Sequence, residues 1–181
     1  MGWGTTYDAN HRGAGITFWS GYSGSTLAAG FTNLEISANT LLNLKTSRRG
    51  ISLYNSSGDD GSGGNFANAV ISGNTVSNAA GYSGEFGIRV RGKATGTQIT
   101  NNLISGVIDG VLIAPQFGHE PISTSVNNNS LLATTGNGIN NTTSTLVAGT
   151  CNWYGINTVS GVAAKITGLV TYDPWLLDGT D

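Results

Sequence analysis

Short alternations of apolar and polar residues recur along this chain in two phrases. In the first phrase, an apolar residue is followed three positions later by asparagine, and a second apolar residue comes two positions after that. In the second phrase, a glycine precedes two apolar residues that are separated by one position. Apolar residues at every second position are typical of strands with one buried face, so both phrases predict β-strands.

The copies of the two phrases interleave along the chain. The first phrase occurs at Ile36-Asn39-Leu41, Ile71-Asn74-Val76, Ile99-Asn102-Ile104 and Val126-Asn129-Leu131. The second occurs at Gly15-Ile16-Thr17-Phe18, Gly50-Ile51-Ser52-Leu53, Gly87-Ile88-Arg89-Val90 and Gly110-Val111-Leu112-Ile113, with a weaker copy at Gly138-Ile139-Asn140-Asn141. The asparagines are 35, 28 and 27 residues apart. Coordinated repeats at this spacing predict a solenoid, in which each unit buries its apolar face by stacking on the next.

The asparagine and the glycine each occupy a fixed place in the repeat. One asparagine per unit predicts a ladder at a tight turn, where its side chain bonds backbone groups and the asparagines of the neighbouring coils. The recurring glycine is interpreted as a turn residue that needs a positive φ.

Composition narrows the fold and the function. A chain of 181 residues suits one domain. Charged residues make up 10% of it, and its 28 glycines argue against helices. The net charge of −2 lacks the basic excess of a nucleic-acid binder, so no nucleic-acid partner is expected. The sequence contains no apolar run of about 18 residues, so no membrane span is predicted.

The two phrases resemble the repeats of right-handed parallel β-helix proteins, the fold of the pectate-lyase-like superfamily found in secreted, carbohydrate-associated bacterial proteins. The stretches Cys151-Asn152-Trp153-Tyr154-Gly155 and Val170-Thr171-Tyr172-Asp173-Pro174-Trp175-Leu176 resemble the closing turns of such helices. The resemblance covers about residues 13–178. It predicts an all-β, single-stranded right-handed parallel β-helix of about five coils, closed at its C-terminus by Trp153 and Trp175.

The expected organisation has three parts. Residues 1–12 form an N-terminal extension or the remnant of a longer chain, residues 13–150 form the coils, and residues 151–181 form the closing coil and cap. The repeats begin halfway through a coil, so we expect self-association or further coils at an open N-terminal end. The resemblance implies an extracellular or cell-surface location. Because no signal peptide is visible, the chain is expected to be a mature portion or a fragment.

One outward face of the predicted helix carries aromatic and basic side chains. Because residues alternate along the second phrase, Arg89 and Arg91 point outward. Stacking of the coils places Trp19, Tyr54 and Arg91 in one column, with Arg89 in the next. Exposed aromatic rings beside hydrogen-bonding groups suit sugar rings, so these four residues are predicted to bind a polysaccharide. The alternative is that a side loop covers both rings.

The segments that follow the second phrase vary in length and are predicted to be loops at one edge of the helix. They comprise residues 20–30, 55–67, 92–96 and 115–121 and a short turn near Thr143. Adjacent carboxylates on a glycine-rich loop can bind Ca²⁺ through oxygen, so Asp59 and Asp60 are candidate calcium ligands. A solvated turn is the alternative for this pair. Otherwise no cofactor is expected.

Two enzyme mechanisms are weighed against a non-catalytic module. Resemblance to polysaccharide lyases implies that Arg91 or Lys93 takes a proton next to a uronate carboxylate, with Ca²⁺ as an aid. Resemblance to polygalacturonase-type glycosidases implies roles for paired aspartates and His119. In this chain, however, the basic strand precedes the histidine, and Asn39-Thr40 is followed by Leu41 rather than by aspartate.

The sequence therefore favours a non-catalytic β-helix module that binds carbohydrate or serves a structural or assembly role. The alternative is a polysaccharide lyase or glycoside hydrolase fragment that acts on an acidic glycan. In that case, Arg91, Lys93 and His119 are the candidate catalytic residues. The small outward residues next to the ladder positions form no regular threonine array, so ice binding is not favoured.

Overall fold

The computed structural model describes residues 14–20, 30–55, 64–132 and 135–179. Over this part of the chain it is a parallel β-helix, as the repeats predict. Each coil lies against the next through parallel strands, and about five coils are stacked. Right-handed winding is the sense that parallel crossovers adopt in nearly all proteins.

The secondary-structure elements are short. In chain order they are β1 (Ala14–Ser20), β2 (Phe31–Thr32), β3 (Glu35–Ser37), β4 (Thr40–Leu42), β5 (Arg49–Asn55), β6 (Phe66–Ala67), β7 (Val70–Ser72), β8 (Thr75–Ser77), β9 (Gly84–Arg91), β10 (Ala94–Thr95), β11 (Gln98–Thr100), β12 (Leu103–Ser105), β13 (Val107–Ala114), β14 (Ser125–Asn127), β15 (Ser130–Leu132), β16 (Ile139–Asn141), β17 (Val147–Ala148), α1 (Val159–Ala163), β18 (Ile166–Thr167) and β19 (Val170–Thr171).

These strands stack into four parallel sheets, which we call A to D. Sheet A contains β1, β5, β9, β13, β16 and β18, and it carries the longest strands. Sheet B contains β2, β6 and β10, and sheet C contains β3, β7, β11, β14, β17 and β19. Sheet D contains β4, β8, β12 and β15. We number the coils from the N-terminus, so that β1–β4 form coil 1 and β16–β17 belong to coil 5.

The core consists of columns of equivalent apolar residues. In sheet A, Ile51 pairs in register with Ile88, Ile88 with Val111, and Val111 with Ile139. All four side chains are completely buried. The core is therefore a continuous apolar cylinder in which each coil fills the face of the next, as the repeats predict.

The asparagine ladder is present at the corner between sheets C and D. It consists of Asn39, Asn74, Asn102, Asn129 and Asn152. Each Nδ2 donates to Oδ1 of the next rung, over 2.9 Å for the first three steps and 3.0 Å for the last. The sequence predicted the first four rungs and assigned Asn152 to the closing turn only, because the apolar frame of the phrase is lost there.

The positive φ of the turn belongs to the residue before each rung. These residues are Ala38, Gly73, Asn101, Asn128 and Cys151, with φ between 54° and 62°. The left-handed conformation turns the chain by a single residue and aims the following asparagine into the helix. Cys151 is half-buried and is a turn residue rather than a core residue.

The interpretation of the second-phrase glycines as positive-φ turn residues is wrong. None of them lies in the left-handed region, and the reason for glycine is close approach instead. A Cβ on Gly87 would lie 2.8 Å from the carbonyl oxygen of Gly110, and one on Gly110 would lie 2.6 Å from that of Gly138. A Cβ on Gly138 would lie 2.5 Å from Cδ1 of Tyr154. Glycine at these positions lets the next coil and the core side chains approach sheet A closely.

The predicted loop segments contain a sheet that the sequence did not indicate. Phe66–Ala67 and Ala94–Thr95, assigned to loops, are strands of sheet B. Phe66 is completely buried and stacks on Phe31, with ring centroids 5.3 Å apart. Two-residue strands are too short to show an alternation, so only their stacking reveals them.

The segment after β17 packs on the C-terminal end of the helix and adds β18 to sheet A and β19 to sheet C. Trp153 pairs with Ser130 in a parallel bridge, and Tyr154 is 2% exposed with its hydroxyl donating to the Gly149 carbonyl over 3.3 Å. Helix α1 buries Val162, and Trp175 packs against the core. Tyr154 is more deeply buried than either Trp153 or Trp175.

Residues 1–12, expected as an extension, lie outside the described part of the chain. Within that part, no helix has both the length and the apolar character that a membrane crossing requires.

Candidate functional site

The predicted binding residues lie on the outer face of sheet A, where they form a strip of Trp19, Tyr54, Arg89 and Arg91. The register brings Trp19 opposite Tyr54 and Tyr54 opposite Arg91, in three consecutive coils. Arg89 lies opposite Ser52 in the neighbouring column. The structure thus brings together the four residues that the alternation predicts.

The two rings of the strip are in contact. Trp19 and Tyr54 meet edge to face, with centroids 6.1 Å apart and planes at 79°. The side chain of Trp19 is 46% exposed, whereas Tyr54 is half-buried. Edge-to-face packing restricts both rings, so the exposed indole is presented on a fixed support.

Arg89 lies on the outward side of sheet A but is only 5% exposed. Its Nε donates to the Ser52 hydroxyl over 2.9 Å, and its Cζ lies 4.9 Å from the centroid of the Tyr54 ring. The outward register is as predicted, but the guanidinium lies along the sheet against Tyr54. Arg89 therefore supports the Tyr54 ring through a cation–π contact.

The charged guanidinium of Arg89 is buried and therefore poorly solvated. Burial, followed by the positive charges of Arg49 and Arg91, lowers the pKa of Arg89 from 12.5 to about 10. The side chain is thus still a cation at neutral pH. A cation with little water around it attracts anions more strongly than a solvated one does.

Arg91 is the last residue of β9, and Lys93 lies two residues further on, just before β10. Arg91 is half-buried, and its Nε donates to the carbonyl oxygen of Pro115 over 3.1 Å. This hydrogen bond fixes the guanidinium beside the loop at residues 115–121. Lys93 is half-buried, and its carbonyl oxygen accepts from the Phe66 amide over 3.1 Å, which binds its backbone to sheet B.

The loop with His119 is anchored at both ends. The backbones of Gln116 and His119 exchange two hydrogen bonds of 2.9 Å, and the His119 side chain is half-buried. The neighbouring Glu120 accepts from the Ser144 amide over 3.0 Å and from the Ser144 hydroxyl over 2.7 Å. The acidic group next to His119 therefore ties this loop to the following coil.

The predicted calcium ligands, Asp59 and Asp60, lie outside the described residues. Within residues 14–20, 30–55, 64–132 and 135–179, no group of three or more histidine, cysteine or acidic side chains could hold a metal ion.

Sequence reasoning missed an ion pair next to the strip. Arg49 Nη2 lies 3.3 Å from Glu85 Oε2, and the charge of Arg49 contributes to the lowered pKa of Arg89. The signal was present, because Arg49 precedes Gly50 and Glu85 lies two residues before Gly87. Aligning the two glycines would have placed the pair in adjacent coils.

A second polar cluster was also missed, further along sheet A. Asp109 is buried, and its carboxylate accepts from the Asn137 amide over 2.6 Å and from Asn140 Nδ2 over 2.9 Å. These bonds satisfy the carboxylate and fix the start of coil 5, so the cluster has a structural role.

Comparisons with protein-family models, with curated proteins and with solved structures found no match to this chain. Of the sequence resemblance, the parallel β-helix itself is shown by the geometry.

Proposed function

We propose that this chain is a non-catalytic β-helix module of an extracellular or cell-surface protein and that the strip binds carbohydrate. One observation carries the proposal: the 46% exposed Trp19 lies in register with Tyr54 and Arg91 on three consecutive coils. Parallel coils lie about 4.8 Å apart, so the strip spans roughly 10 Å. That length matches about two sugar rings.

The packing of the strip favours binding at a low entropic cost. Tyr54 is held by Trp19 on one side and by the Arg89 guanidinium on another. An aromatic platform that is already ordered loses little conformational freedom when a ligand stacks on it.

The charges of the strip favour an acidic saccharide. Arg91 is oriented by its bond to the Pro115 carbonyl, and Arg89 adds a positive charge in a poorly solvated position. Guanidinium groups bind carboxylates with two parallel hydrogen bonds, and uronates carry such carboxylates. We therefore expect acidic glycans to bind more tightly than neutral ones, with an affinity that falls as salt increases.

A glycan array followed by titration of the best ligand tests the proposal. Trp19→Ala should weaken binding about tenfold or more, because it removes the exposed platform. Tyr82→Ala is the matched control, since Tyr82 is 42% exposed but lies in a turn outside the strip. Equal effects of the two substitutions, or no ligand on the array, would contradict a binding role for the strip.

The enzymatic alternative is tested with the same ligands. Uronate polymers are incubated with and without Ca²⁺ while unsaturated products and new reducing ends are measured. The proposal predicts binding without cleavage. Cleavage that disappears in Arg91→Ala would instead identify a lyase or hydrolase.

A further inference from the structure

The loop at residues 115–121 is a short β-hairpin with a bulky residue at its turn. The backbones of Gln116 and His119 exchange two hydrogen bonds of 2.9 Å, and the turn between them consists of Phe117 and Gly118. Both turn residues have positive φ, 50° for Phe117 and 75° for Gly118. Two-residue turns of this kind favour asparagine, aspartate or glycine at the first position, so phenylalanine is an unfavourable choice there.

Packing does not compensate for this backbone conformation. Phe117 is 43% exposed and is not among the side chains that pack against the core. No described atom lies within 4 Å of a Cβ built on Gly118, so the turn projects away from the described coils. A bulky residue with positive φ persists only where the surrounding structure holds it, and such residues concentrate at binding and catalytic sites.

Hydrogen bonds hold the hairpin at both of its ends. Arg91 Nε donates to the Pro115 carbonyl over 3.1 Å, which binds the first end to coil 3. The Thr145 hydroxyl donates to the Pro121 carbonyl over 2.7 Å, which binds the second end to coil 5. The backbone that carries Phe117 is therefore ordered, and a ligand that contacts the ring meets a fixed support.

The hairpin begins where the strip ends. In coil 4, the residue in register with Arg91 is Ala114, whose small side chain is buried and offers a ligand no surface. The next residue, Pro115, is the one that accepts from Arg91. Phe117 follows Pro115 by two residues, so their Cα atoms are at most about 7 Å apart. The hairpin therefore supplies the aromatic side chain that the strand of coil 4 lacks.

We propose that Phe117 is a further saccharide-binding residue, which extends the strip from three coils to four. This inference rests on the proposed function, because it concerns the same acidic glycan. Four coils cover three steps of about 4.8 Å, or roughly 14 Å, which matches about three sugar rings instead of two. The ligand that fits the extended strip is an acidic oligosaccharide of at least three residues.

A structural role for the Phe117 ring makes a different prediction about stability. Phe117→Asn removes the ring and introduces a residue that tolerates positive φ. Because strain is relieved and no buried side chain is lost, the thermal midpoint of unfolding should equal or exceed that of the original chain. A midpoint lowered by several degrees would show that the ring stabilises the fold, and it would overturn the inference.

Calorimetric titration with uronate oligosaccharides of two to five residues tests the extended strip. The affinity of the original chain should rise from the disaccharide to the trisaccharide. Phe117→Asn should weaken the binding of the trisaccharide and longer ligands about tenfold, and it should change disaccharide binding less than about twofold. Trp19→Ala should weaken the binding of all lengths.

Ile122→Ala is the matched control for the loss of an exposed apolar side chain. Ile122 is exposed and follows the hairpin, but it pairs with Thr95 of sheet B rather than with a strand of sheet A. This variant should bind every oligosaccharide as the original chain does. Equal losses of trisaccharide affinity in Ile122→Ala and Phe117→Asn would overturn the inference.

The titrations also separate this inference from the proposed function. Absence of binding at every length by the original chain would contradict both. Binding that Trp19→Ala weakens, but that Phe117→Asn leaves unchanged at every length, would overturn only the extension to coil 4. As a second readout, the amide resonance of Gly118 should shift with the trisaccharide and not with the disaccharide. An amide resonance that stays in place with both ligands would contradict contact at the hairpin.

Discussion

The two ends of this β-helix continue the same columns of inward residues, but these residues are buried and hydrogen-bonded to different extents. At the C-terminal end, Tyr154 and Val162 are buried, and the amide of the last rung donates to carbonyls of Val126 and Gly149. At the N-terminal end, Phe18 and Leu41 are half-buried and the acceptor of Asn39 has no donor among the described residues.

The difference shows that the stacking of identical coils does not by itself terminate a solenoid. Each interior coil is covered by a neighbouring coil on both sides. A terminal coil lacks one neighbour, so another segment must cover its outer face. In this chain, residues 151–177 add a buried tyrosine and a short helix at one end, and they extend sheets A and C by β18 and β19.

The comparison predicts that core truncations cost more near the C-terminal end than in coil 1. Tyr154→Ala should destabilise the fold by about 3–5 kcal/mol, because it leaves a cavity beneath Gly138. Phe18→Ala should cost only about 1–2 kcal/mol, because Phe18 is already partly in contact with solvent. Urea unfolding measures both, and equal losses would contradict the difference between the ends.

The ladder provides a second pair of substitutions with a smaller expected effect. Asn102→Leu should cost about 2–4 kcal/mol, since it removes the side-chain acceptor of the buried Asn74 amide and the side-chain donor to the Ile71 carbonyl. Asn39→Leu removes bonds only on one side of a half-buried rung and should cost about 1 kcal/mol or less. The same unfolding experiment tests the pair, and a costlier Asn39→Leu would show that the first rung is covered after all.

The C-terminal end should also give a pH signature, the smallest effect of the three. Burial raises the pKa of Tyr154 well above its ordinary value of 10. The unfolded chain therefore loses this proton first, and the resulting stability, complete below pH 10, decreases as the pH rises. Tyr154 by itself contributes a decrease of about 1.4 kcal/mol per pH unit, which the opposite contribution of Arg89 offsets in large part.

Tyr154→Phe is the control for that measurement. It should remove the contribution of Tyr154 and leave that of Arg89, which has the opposite sign because its pKa is lowered, so the stability of the variant should rise with pH above about pH 10. An unchanged alkaline slope in Tyr154→Phe would contradict a buried phenol at this end.

Much of the fold could be predicted because each repeat contains residues whose structural roles depend only on the neighbouring sequence. The alternation around Ile71-Asn74-Val76 is enough to give strands, a turn and a rung. The glycine column could not be explained in advance, because its cause is the approach of a neighbouring coil rather than its own φ. Sheet B was missed because its strands have only two residues each.

For the candidate site, only those positions could be predicted that the register of the strands in sheet A determines. The alternation placed Trp19, Tyr54 and Arg91 in one column, and the pairing confirms this. The burial of Arg89 was not predictable, because it depends on a side-chain path along the sheet to Ser52 and Tyr54.

The central claim is that coil 1 is less deeply buried than the later coils of the described chain, and one hydrogen bond present in coil 1 and in coil 4 tests it. The amide of Asn39 donates to Oδ1 of Asn74 over 3.0 Å, and the amide of Asn129 donates to Oδ1 of Asn152 over 2.9 Å. Because the two bonds are chemically identical, their amide exchange rates compare the local stability of the two coils. We predict that Asn39 exchanges at least a hundredfold faster than Asn129; equal protection of the two amides would contradict the account.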